Sequence, residues 1–515
     1  MSEKVGAVMV VGGGIAGMQA SLDLADSGYY VYLVEESSSI GGHMAQLDKT
    51  FPTNDCSMCI ISPKLVEVSK HLNIEIIPNS NIKKIDGEAG NFKVTLNKSP
   101  RFVDLEKCTA CGDCIEKCPV HLLSEFDEGL GTRTAIHRQY PQAIPDAMLI
   151  TKTSRPPCMI TCPASVNVQG YVALAAEGKF EEAYKVIKRQ NPFPSVCGRV
   201  CHHPCESECN RKELDEAVAI NPLKRFISDY VREKKKTGTA EEKADLLGEK
   251  PAIDHQKPKV AIVGSGPSGL TAAQDLVFLG YPVTVFEALS SPGGMMLTGI
   301  PSYRLPKEIL KEEIQEILDL GVELKTNITI GKDLILNDLK GQGYKALYLA
   351  IGAQASRRLP IEGDNLDGIL GGVEFFFFFI LRTPPPIGKK VLVIGGGNVA
   401  VDVALSALRI GAEEVEMFCL EKREEMPAYE WEIEDALEEG VKINCSWGPE
   451  RFEGKEGKVT GVSFKRCTSV FDADGRFSPS YDEKETTSTN ADTVIVAIGQ
   501  AADLSFLGKE NSLET

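Results

Sequence analysis

The chain has 515 residues, of which 43% are hydrophobic, a length and composition that allow three or four domains with sizeable cores. Its formal net charge of −17 argues against a surface that binds nucleic acid or an anionic membrane. No apolar run reaches the length needed to span a bilayer and no signal-peptide pattern opens the chain, so we expect a cytoplasmic protein with no membrane span.

The first pattern is a glycine-rich loop between an apolar strand and a helix, in the run VMVVGGGIAG at 8–17. Glycines spaced G-x-G-x-x-G permit a tight turn and let backbone N–H groups approach a pyrophosphate at the helix N-terminus. The next strand ends on an acid that is placed to hold a ribose hydroxyl, and a glycine pair follows. The residues of this predicted dinucleotide site are Gly12, Gly14, Gly17, Glu35, Gly41 and Gly42.

A CxxC pair, Cys56 and Cys59, lies just beyond this loop. Two functional interpretations are open: a redox-active dithiol beside the dinucleotide, or ligands of a metal cluster. The third interpretation is a pair of small residues that serves packing alone.

The run KCTACGDCIEKCPV carries four cysteines spaced C-x2-C-x2-C-x3-C, with Pro119 directly after the last. Thiolates at this spacing can wrap a [4Fe–4S] cluster. A zinc knuckle or unrelated buried cysteines are the alternatives, but a zinc site carries no such trailing proline. The predicted cluster ligands are Cys108, Cys111, Cys114 and Cys118.

The N-terminal motifs together resemble the A-type subunit of heterodisulfide reductase over about residues 1–150. The resemblance is carried by GGHMAQLDKTFPTNDCSMCIISPK, by the KCTACGDCIEKCP insert and by YPQAIP. It implies a thioredoxin-reductase-like FAD domain that is interrupted by a ferredoxin loop. We expect a partial FAD-binding domain at 1–100, a ferredoxin-type insert at 101–130 and a connecting segment at 131–154.

A second cysteine array follows, within a stretch that is predicted to be helical. Cysteines one helical turn apart present their sulfurs on one face, which suits a cluster. With no export signal in view, metal or redox use in a reducing cytoplasm is favoured over disulfides. The predicted ligands are Cys158, Cys162, Cys197, Cys201, Cys205 and Cys209.

The first glycine pattern recurs at 260–294 with the same offsets from the first glycine to the acid and to the glycine pair. This repetition indicates an internal duplication. An acid followed by a Gly-Gly turn resembles the FAD sites of flavoproteins with two dinucleotide-binding domains. The residues of this second predicted FAD site are Gly264, Gly266, Gly269, Glu287, Gly293 and Gly294.

A third glycine loop, in KKVLVIGGGNVAVDVALSALRIGA, has the spacing G-x-G-x-x-A at Gly395, Gly397 and Ala400. Alanine in the third place is common for nicotinamide cofactors, because helix and strand still pack closely. The next strand leads into EMFCLEKREEMPA, where Glu421 follows the strand. This segment predicts a nicotinamide-binding domain.

From about residue 155 to the end, the chain resembles the small subunit of glutamate synthase. It also resembles the large subunit of NADH-dependent ferredoxin:NADP oxidoreductase and the N-terminal part of dihydropyrimidine dehydrogenase. These proteins carry two [4Fe–4S] clusters in the helical domain. Here ITKTSRPP stands where a further cysteine pair is expected and Lys224 falls where a further ligand is expected, so we expect one cluster from this chain's own ligands.

The same resemblance implies the remaining domain boundaries. We expect a helical iron–sulfur domain at 155–235, a linker at 236–257, an FAD-binding domain at 258–384, an NAD(P)-binding domain at 385–490, and a truncated return to the FAD domain at 491–515. The family continues past this point, so we expect the chain to be a fragment of a longer polypeptide.

The resemblance also bears on the nicotinamide cofactor. NADP users of this family carry two arginines at the positions of Leu420 and Glu421. A carboxylate can accept a hydrogen bond from a ribose 2′-OH and would repel a 2′-phosphate, so Glu421 favours NADH. Lys422 and Arg423 follow, and their positive charges would instead favour the 2′-phosphate of NADPH.

The sequence as a whole predicts an α/β flavoprotein with two Rossmann-like dinucleotide-binding domains, a ferredoxin-type insert and a helical iron–sulfur domain. We expect electrons to pass from NAD(P)H through FAD to the clusters of Cys158–Cys209, then to Cys108–Cys118 and the first flavin. The expected role is electron input to a heterodisulfide reductase-like complex, with partners that resemble its B-type and C-type subunits, a hydrogenase or a ferredoxin.

Three alternatives remain open. The chain can be the NAD(P)H-oxidising subunit of a glutamate synthase, although that subunit lacks a counterpart of residues 1–150. It can be a thiol–disulfide oxidoreductase that acts through Cys56 and Cys59. It can also be a non-catalytic electron-relay module of a larger complex.

Overall fold

The computed structural model describes residues 6–239, 246, 250–381 and 385–507. Two compact units divide the chain: Met1–Thr161 with Pro204–Val218, and Cys162–His203 with Ala219–Thr515. The predicted linker at 236–257 and the predicted return at 491–515 lie partly outside the described residues. Within those ranges, no helix combines the length and apolarity that crossing a bilayer requires.

The first unit is built on a three-stranded parallel sheet of Ala7–Val11, Tyr30–Val34 and Ile74–Ile77, in that order. Parallel strands need crossover helices, which here are Ile15–Asp26 and Ser57–Lys70. Both helices bury one face against the sheet because their apolar residues recur every three to four positions. The shared core comprises Met18, Leu22, Leu33, Ile40, Ile61, Leu65 and Val68.

The rest of the first unit consists of short elements. Antiparallel strand pairs and short helices follow the sheet in chain order. The strand pairs are Ser80–Glu88 with Asn91–Lys98, His121–Leu123 with Thr132–Thr134, and Ile136–His137 with Leu149–Ile150. The short helices are Asp113–Glu116, Pro157–Ile160 and Pro204–Ser207.

The connecting segment predicted at 131–154 packs back onto the first glycine region. The Tyr140 hydroxyl donates to the carbonyl of Ile40, and the Tyr140 ring stacks on Phe126 with centroids 5.3 Å apart. The buried Arg101 guanidinium donates to the carbonyls of Ser38 and Ala147. The segment is therefore part of the core that holds the glycine-pair turn in place.

The second unit opens with a helical layer of Val168–Ala176, Phe180–Lys188, Pro194–Val200 and Ile220–Thr237. The Asn167 side chain caps the first helix by accepting from the N–H of Gly170 at 3.0 Å. The last helix buries Ile220, Ile227 and Val231 on one side. The expected helical domain at 155–235 is thus divided, since Cys162–His203 belongs to this unit and Pro204–Val218 to the other.

A four-stranded parallel sheet carries the second copy of the glycine pattern. The strand order is Glu323–Lys325, Val283–Phe286, Lys259–Val263, Tyr344–Leu349. Its helices are Pro267–Phe278, Met295–Thr298, Lys307–Leu318 and Leu336–Gly341. Buried Val, Ile and Leu side chains join helices to sheet, as parallel strands covered by helices require.

A five-stranded parallel sheet carries the third glycine loop. Its order is Ile369–Gly371, Thr493–Val496, Lys390–Ile394, Glu414–Cys419, Lys442–Cys445. Its helices are Gly372–Leu381, Asn398–Arg409 and Glu430–Glu438. A three-stranded antiparallel sheet of Trp447–Lys455, Lys458–Phe471 and Phe477–Asn490 packs beside it.

Two segments lie in this sheet although we expected them in the flavin domain. Ile369–Gly371 falls within the expected 258–384 domain, and Thr493–Val496 falls within the expected return at 491–515. The two strands pair with each other, so both enter the nicotinamide sheet together. The chain passes between the two sheets along an antiparallel pair, Ala355–Ser356 with Gln500–Ala501.

Candidate functional site

The second glycine loop forms a closely packed cradle between a strand and a helix. Gly264 has φ +103°, and a Cβ added to Gly269 would lie 2.0 Å from the Gly264 carbonyl oxygen. The glycine-pair turn approaches the same loop, since a Cβ added to Gly294 would lie 2.7 Å from the Gly266 Cα. Helix Pro267–Phe278 begins directly after the loop, and no side chain caps its N-terminus.

The acid after the second strand is tied into this cradle. Glu287 is buried and accepts hydrogen bonds from the N–H of Ser265 at 3.0 Å and from the N–H of Leu289 at 2.8 Å. The carboxylate is therefore held in one orientation beside the loop. A cradle that only glycine can line, at a helix N-terminus and beside a fixed carboxylate, fits the adenosine pyrophosphate portion of FAD.

The first glycine loop repeats this construction. Gly12 has φ +96°, and a Cβ added to Gly17 would lie 1.9 Å from the Gly12 carbonyl oxygen. Gly41 and Gly42 also have positive φ, and Glu35 accepts from the N–H of Gly13 at 2.5 Å and from the N–H of Ser37 at 2.7 Å. A Cβ added to Gly42 would lie 3.0 Å from the Gly14 Cα, so the two turns meet as they do in the second copy.

The third loop brings together the residues that we predicted for the nicotinamide cofactor. Gly395 has φ +140°, and Ala400 is fully buried at the start of helix Asn398–Arg409. Glu421 lies beside the loop, with its Oε2 atom 2.8 Å from where a Cβ on Gly396 would stand. Side chains at Gly397 and Gly396 would fill the space over the helix N-terminus that a pyrophosphate takes.

The two cations after Glu421 are engaged with other carboxylates. Lys422 pairs with Glu425 at 3.4 Å, and Arg423 donates to Glu430 at 3.0 and 2.6 Å. Both pairs lie at the surface. The charge nearest the loop is therefore the carboxylate of Glu421.

The four cysteines of the ferredoxin-type insert lie on a loop that wraps a short helix. Ala110 and Gly112 have positive φ, and Cys114 lies on helix Asp113–Glu116. The N–H of Met148 donates to the Cys108 sulfur at 3.4 Å. All four thiols are free of disulfides, and N–H groups aimed at sulfur are a feature of iron–sulfur sites, so the donor set fits a [4Fe–4S] cluster.

Across the described ranges, no three His, Cys, Asp or Glu side chains gather closely enough to hold one metal ion. A [4Fe–4S] cluster makes a different demand, because each of its four thiolates binds a separate iron. The preference for a cluster over a zinc knuckle therefore rests on the cysteine spacing and on the proline after the last cysteine.

Cys56 and Cys59 lie at the start of helix Ser57–Lys70, where both are exposed. Cys56 caps the helix, and its sulfur accepts from the N–H of Cys59 at 3.2 Å. A hydrogen bond between the two thiol side chains lowers the pKa of Cys56 and raises the pKa of Cys59, and the Cys59 N–H lowers the pKa of Cys56 further. Their exposure rules out the packing interpretation; the dithiol and the cluster-ligand interpretations both remain proposals.

The six cysteines of the second array are divided between the two units. Cys158, Cys205 and Cys209 lie in the first unit, where helices Pro157–Ile160 and Pro204–Ser207 pack together. The second unit contains Cys162, Cys197 and Cys201. Each of the six is present as a thiol.

Cys197 and Cys201 stand one turn apart at the end of helix Pro194–Val200, as we predicted. The N–H of His203 donates to the Cys201 sulfur at 3.3 Å. Burial raises the pKa of Cys197 to about 11, while the buried Lys224 opposes that rise. Lys224 therefore places a positive charge near this thiol, a role that suits a countercharge rather than a ligand.

Sequence reasoning missed an ionic cluster that joins the flavin and nicotinamide sheets. Arg304, in the turn GIPSYRLPK, donates to Asp402 at 2.5 Å and to Glu432 at 2.7 Å. Asn398 donates to the other oxygen of Glu432 at 2.5 Å. Burial raises the pKa of Asp402 and of Glu432, and Arg304 opposes both shifts. No local pattern in the sequence connects Arg304 with these partners, since it lies 98 positions from Asp402 and 128 positions from Glu432.

We expect Arg304→Met to lower the free energy of unfolding by roughly 3 kcal/mol, because it leaves the buried Glu432 and the partly buried Asp402 carboxylates without their cation. The measurement is denaturant unfolding of the full chain. Arg423→Met is the matched control, since its pair with Glu430 lies at the surface and is worth less than about 1 kcal/mol. Equal effects of the two substitutions would contradict the clamp role of Arg304.

A column of aromatic rings was also absent from the sequence analysis. Tyr429 stacks between His202 and Trp431, with centroid distances of 5.5 and 4.7 Å. His203 stacks on the far side of Trp431 at 5.1 Å. The rings join the segment after Cys201 to the segment after the nicotinamide loop, so the cysteine helix and that loop are held in one arrangement.

Residues 258–515, half of the chain, match the family model described as pyridine nucleotide-disulphide oxidoreductase. The chain belongs to the pyridine nucleotide-disulphide oxidoreductase family. Three further models match this oxidoreductase: FAD dependent oxidoreductase at 7–57, 4Fe-4S binding domain at 101–124, and dihydropyrimidine dehydrogenase domain II, 4Fe-4S cluster at 132–236. The predicted α/β fold class with two dinucleotide-binding domains is thereby confirmed.

Two long matches cover the same share of this pyridine nucleotide-disulphide oxidoreductase. It is 42% identical over 358 residues to the NADPH-Fe(3+) oxidoreductase subunit beta of Geobacter sulfurreducens, which is 68% of this chain and 52% of the relative. It is 40% identical over 366 residues to the NADP(+)-dependent formate dehydrogenase subunit beta of Moorella thermoacetica, with the same two shares. The chain thus spans about half the length of these curated relatives.

A shorter match concerns the N-terminal region. There the oxidoreductase is 56% identical over 142 residues to an A-type iron-sulfur subunit of the CoB–CoM heterodisulfide reductase of Methanopyrus kandleri, which is 28% of this chain and 22% of the relative. Both resemblances seen in the sequence are confirmed, as is their fusion in one chain. This family member is therefore an oxidoreductase that depends on FAD, a nicotinamide cofactor and [4Fe–4S] clusters.

Proposed function

We propose that this chain accepts electrons from NADH and passes them on singly, as the electron-input subunit of a heterodisulfide reductase-like complex. The observation that carries the proposal is the presence, in one unit, of two glycine cradles, each with a carboxylate beside it, together with cysteines of an iron–sulfur segment. FAD held at the cradle of Gly264, Gly266 and Gly269 would supply the conversion of a hydride's electron pair into single electrons, and [4Fe–4S] clusters held by the cysteines would supply the one-electron path onward. Hydride transfer needs no side-chain acid or base, so we nominate none.

The chain's own residues bind and orient in this proposal. The cradle of Gly264, Gly266 and Gly269 positions one dinucleotide, and that of Gly395, Gly397 and Ala400 positions the other. Arg304 and the Ala355–Ser356 crossover fix the two cradles relative to each other. The cysteines at 108–118 and 158–209 supply thiolates for clusters, and N–H groups at Met148 and His203 bear on the potential of those clusters.

Partners of this chain follow from the relatives, which are named as subunits. We propose that the acceptor of its electrons is a separate redox protein that resembles the B-type and C-type subunits of heterodisulfide reductase, a hydrogenase or a ferredoxin. The match of the N-terminal region to an A-type subunit of heterodisulfide reductase supports the first of these. It also speaks against the glutamate synthase alternative, which has no counterpart of residues 1–150.

The preference for NADH rests on the charges beside the third loop. Glu421 lies beside the loop, whereas Lys422 forms an ion pair with Glu425 and Arg423 forms one with Glu430. A ribose 2′-OH can donate to this carboxylate, whereas a 2′-phosphate would meet like charge. The names of the two long relatives carry NADPH and NADP(+), so the test must include both cofactors.

Anaerobic titration of the reconstituted full chain tests the function and the preference together. We expect NADH to bleach the bound flavin and then to reduce the clusters, at a concentration roughly tenfold lower than NADPH requires, which corresponds to about 1.4 kcal/mol. Glu421→Arg should reverse the preference, and Glu424→Gln, a nearby exposed acid, should not. Equal response to both cofactors would refute the NADH preference, and bleaching by neither would refute the function and favour the relay alternative.

The exposed Cys56–Cys59 pair favours a second candidate, a thiol–disulfide oxidoreductase. The lowered pKa of Cys56 and its place at a helix N-terminus are typical of an attacking thiol. The same titration separates the two functions. In the second candidate, NADH oxidation continues only when a disulfide substrate is added.

A further inference from the structure

Two cysteines that are 26 positions apart in the sequence meet in the nicotinamide sheet. Cys419 and Cys445 end the adjacent parallel strands Glu414–Cys419 and Lys442–Cys445, and their Cα atoms are register partners. Adjacent strands lie about 4.8 Å apart. This spacing falls inside the window of roughly 4.4–6.8 Å in which two Cα atoms can be bridged by a disulfide. The Cys445 side chain also hydrogen-bonds with that of Cys419.

The pair lies directly beneath the loop that we assign to the nicotinamide cofactor. A Cβ added to Gly396 would stand 3.0 Å from the Cys419 Cβ and 3.5 Å from its sulfur. The Cys419 thiol donates to the Glu421 carbonyl at 3.6 Å. A chemical change at the Cys419 sulfur therefore affects the packing beneath Gly396 and the backbone of Glu421, the residue that we assign to the ribose.

The two thiols differ in their access to solvent. Cys419 is buried, and burial and the neighbouring Cys445 raise its pKa. Cys445 is partly exposed, and its sulfur lies 3.8 Å from the Met426 sulfur. A small oxidant in solution thus reaches Cys445 first, and Cys419 is placed to resolve the product.

We propose that Cys419 and Cys445 form a disulfide in response to low-molecular-weight disulfides, and that this modification weakens binding of the nicotinamide cofactor. Cys445 as thiolate attacks the small disulfide RS–SR, forms a mixed disulfide and releases RS⁻. Cys419 then gives up its proton and attacks the Cys445 sulfur, which releases the second RS⁻. Two protein thiols are oxidised, and RS–SR is reduced to two RSH.

This inference deepens the proposed function, because it rests on binding of the nicotinamide cofactor at Gly395–Ala400. Closing the bond removes the proton that the Cys419 thiol donates to the Glu421 carbonyl and turns the Cys419 sulfur, which lies beneath Gly396, toward Cys445. The loop and Glu421 then lose the arrangement that receives the dinucleotide. Reduction by a thiol restores it, so input of electrons is switched off in an oxidising cell and restored afterwards.

The test treats the anaerobic full chain with oxidised glutathione, blocks the remaining thiols and maps the peptides by mass spectrometry. We expect a Cys419–Cys445 peptide pair that is lighter by two hydrogens. Calorimetric titration with NADH before and after treatment should show affinity lowered by about tenfold and regained with dithiothreitol. Cys445→Ala and Cys445→Ser should remove the cross-link and the loss of affinity together.

Cys467→Ala is the matched control, since Cys467 is also buried but its thiol donates to the Ser469 carbonyl instead of to another cysteine. It should retain the cross-link. The exposed Cys56 and Cys59 report that the oxidant has acted. Free thiols at 419 and 445 under conditions that link 56 to 59 would overturn the proposal, and so would a cross-link that leaves NADH affinity unchanged. Failure of the reduced protein to bind NADH would instead count against the proposed function, whatever the peptide map shows.

Discussion

Replacing Gly269 with alanine empties the flavin site of the second dinucleotide-binding domain. The added Cβ would lie 2.0 Å from the carbonyl oxygen and 3.1 Å from the carbonyl carbon of Gly264. Both atoms belong to the backbone of the turn, so no side chain can move aside to make room. Helix Pro267–Phe278 must then shift from the end of strand Lys259–Val263, and its N-terminus no longer faces the pyrophosphate.

Flavin counted per purified chain measures this loss, which we expect to exceed tenfold in affinity, or about 1.4 kcal/mol. Gly341→Ala is the control, because its Cβ meets open space at the end of helix Leu336–Gly341. Gly17→Ala places the same clash, at 1.9 Å, in the first cradle. Comparing the two variants shows how much flavin each cradle holds. Normal flavin content in Gly269→Ala would refute the assignment of the second cradle.

Replacing Cys114 with alanine removes one [4Fe–4S] cluster. Cys114 lies in the middle of the four-cysteine loop, on helix Asp113–Glu116. A cluster that loses one of its four thiolates keeps one iron without a protein ligand, and such a cluster is not retained. We expect the chain to lose about four iron atoms and the electron paramagnetic resonance signal of the reduced cluster.

The iron assay needs a cysteine control from outside the ligand sets. Cys467→Ala serves, since that thiol is buried in the antiparallel sheet and hydrogen-bonds to a backbone carbonyl. Its iron content should equal that of the unaltered chain. An unchanged signal and iron count in Cys114→Ala would show that the four-cysteine loop holds no cluster.

The glycine cradles could be predicted from the sequence because their demands are local. A positive φ at Gly12, Gly264 or Gly395 and a close approach five residues later leave a fixed spacing in the chain. The loops therefore have the construction that the sequence implied in all three copies. The cysteine spacing at 108–118 is local in the same sense.

Features that depend on strand pairing could not be predicted. We expected Ile369–Gly371 within the flavin domain, but the strand pairs with Thr493–Val496 in the nicotinamide sheet. No sequence motif links Cys419 to Cys445, because only the register of their strands makes them neighbours. Arg304 reaches its two carboxylates only once both sheets are in place.

The run Phe375–Phe379 shows how packing can overrule a local pattern. An amphipathic helix keeps its apolar residues to one face, and five consecutive phenylalanines break that order. In the structure the run forms half of helix Gly372–Leu381, with Phe375 and Phe376 buried against the nicotinamide sheet. Phe375 and Phe379 stack at 5.9 Å, so the helix meets the sheet with a broad aromatic face.

The two passages of the chain between the sheets run side by side, at Ala355–Ser356 and Gln500–Ala501. Cα atoms paired in this way are separated by about 5 Å. The intervening polypeptide is therefore a cassette whose two ends nearly touch. It can be exchanged for the matching cassette of a relative by cutting at just these two places, and the chimera would inherit the donor's coenzyme choice without disturbing the host's flavin cradle.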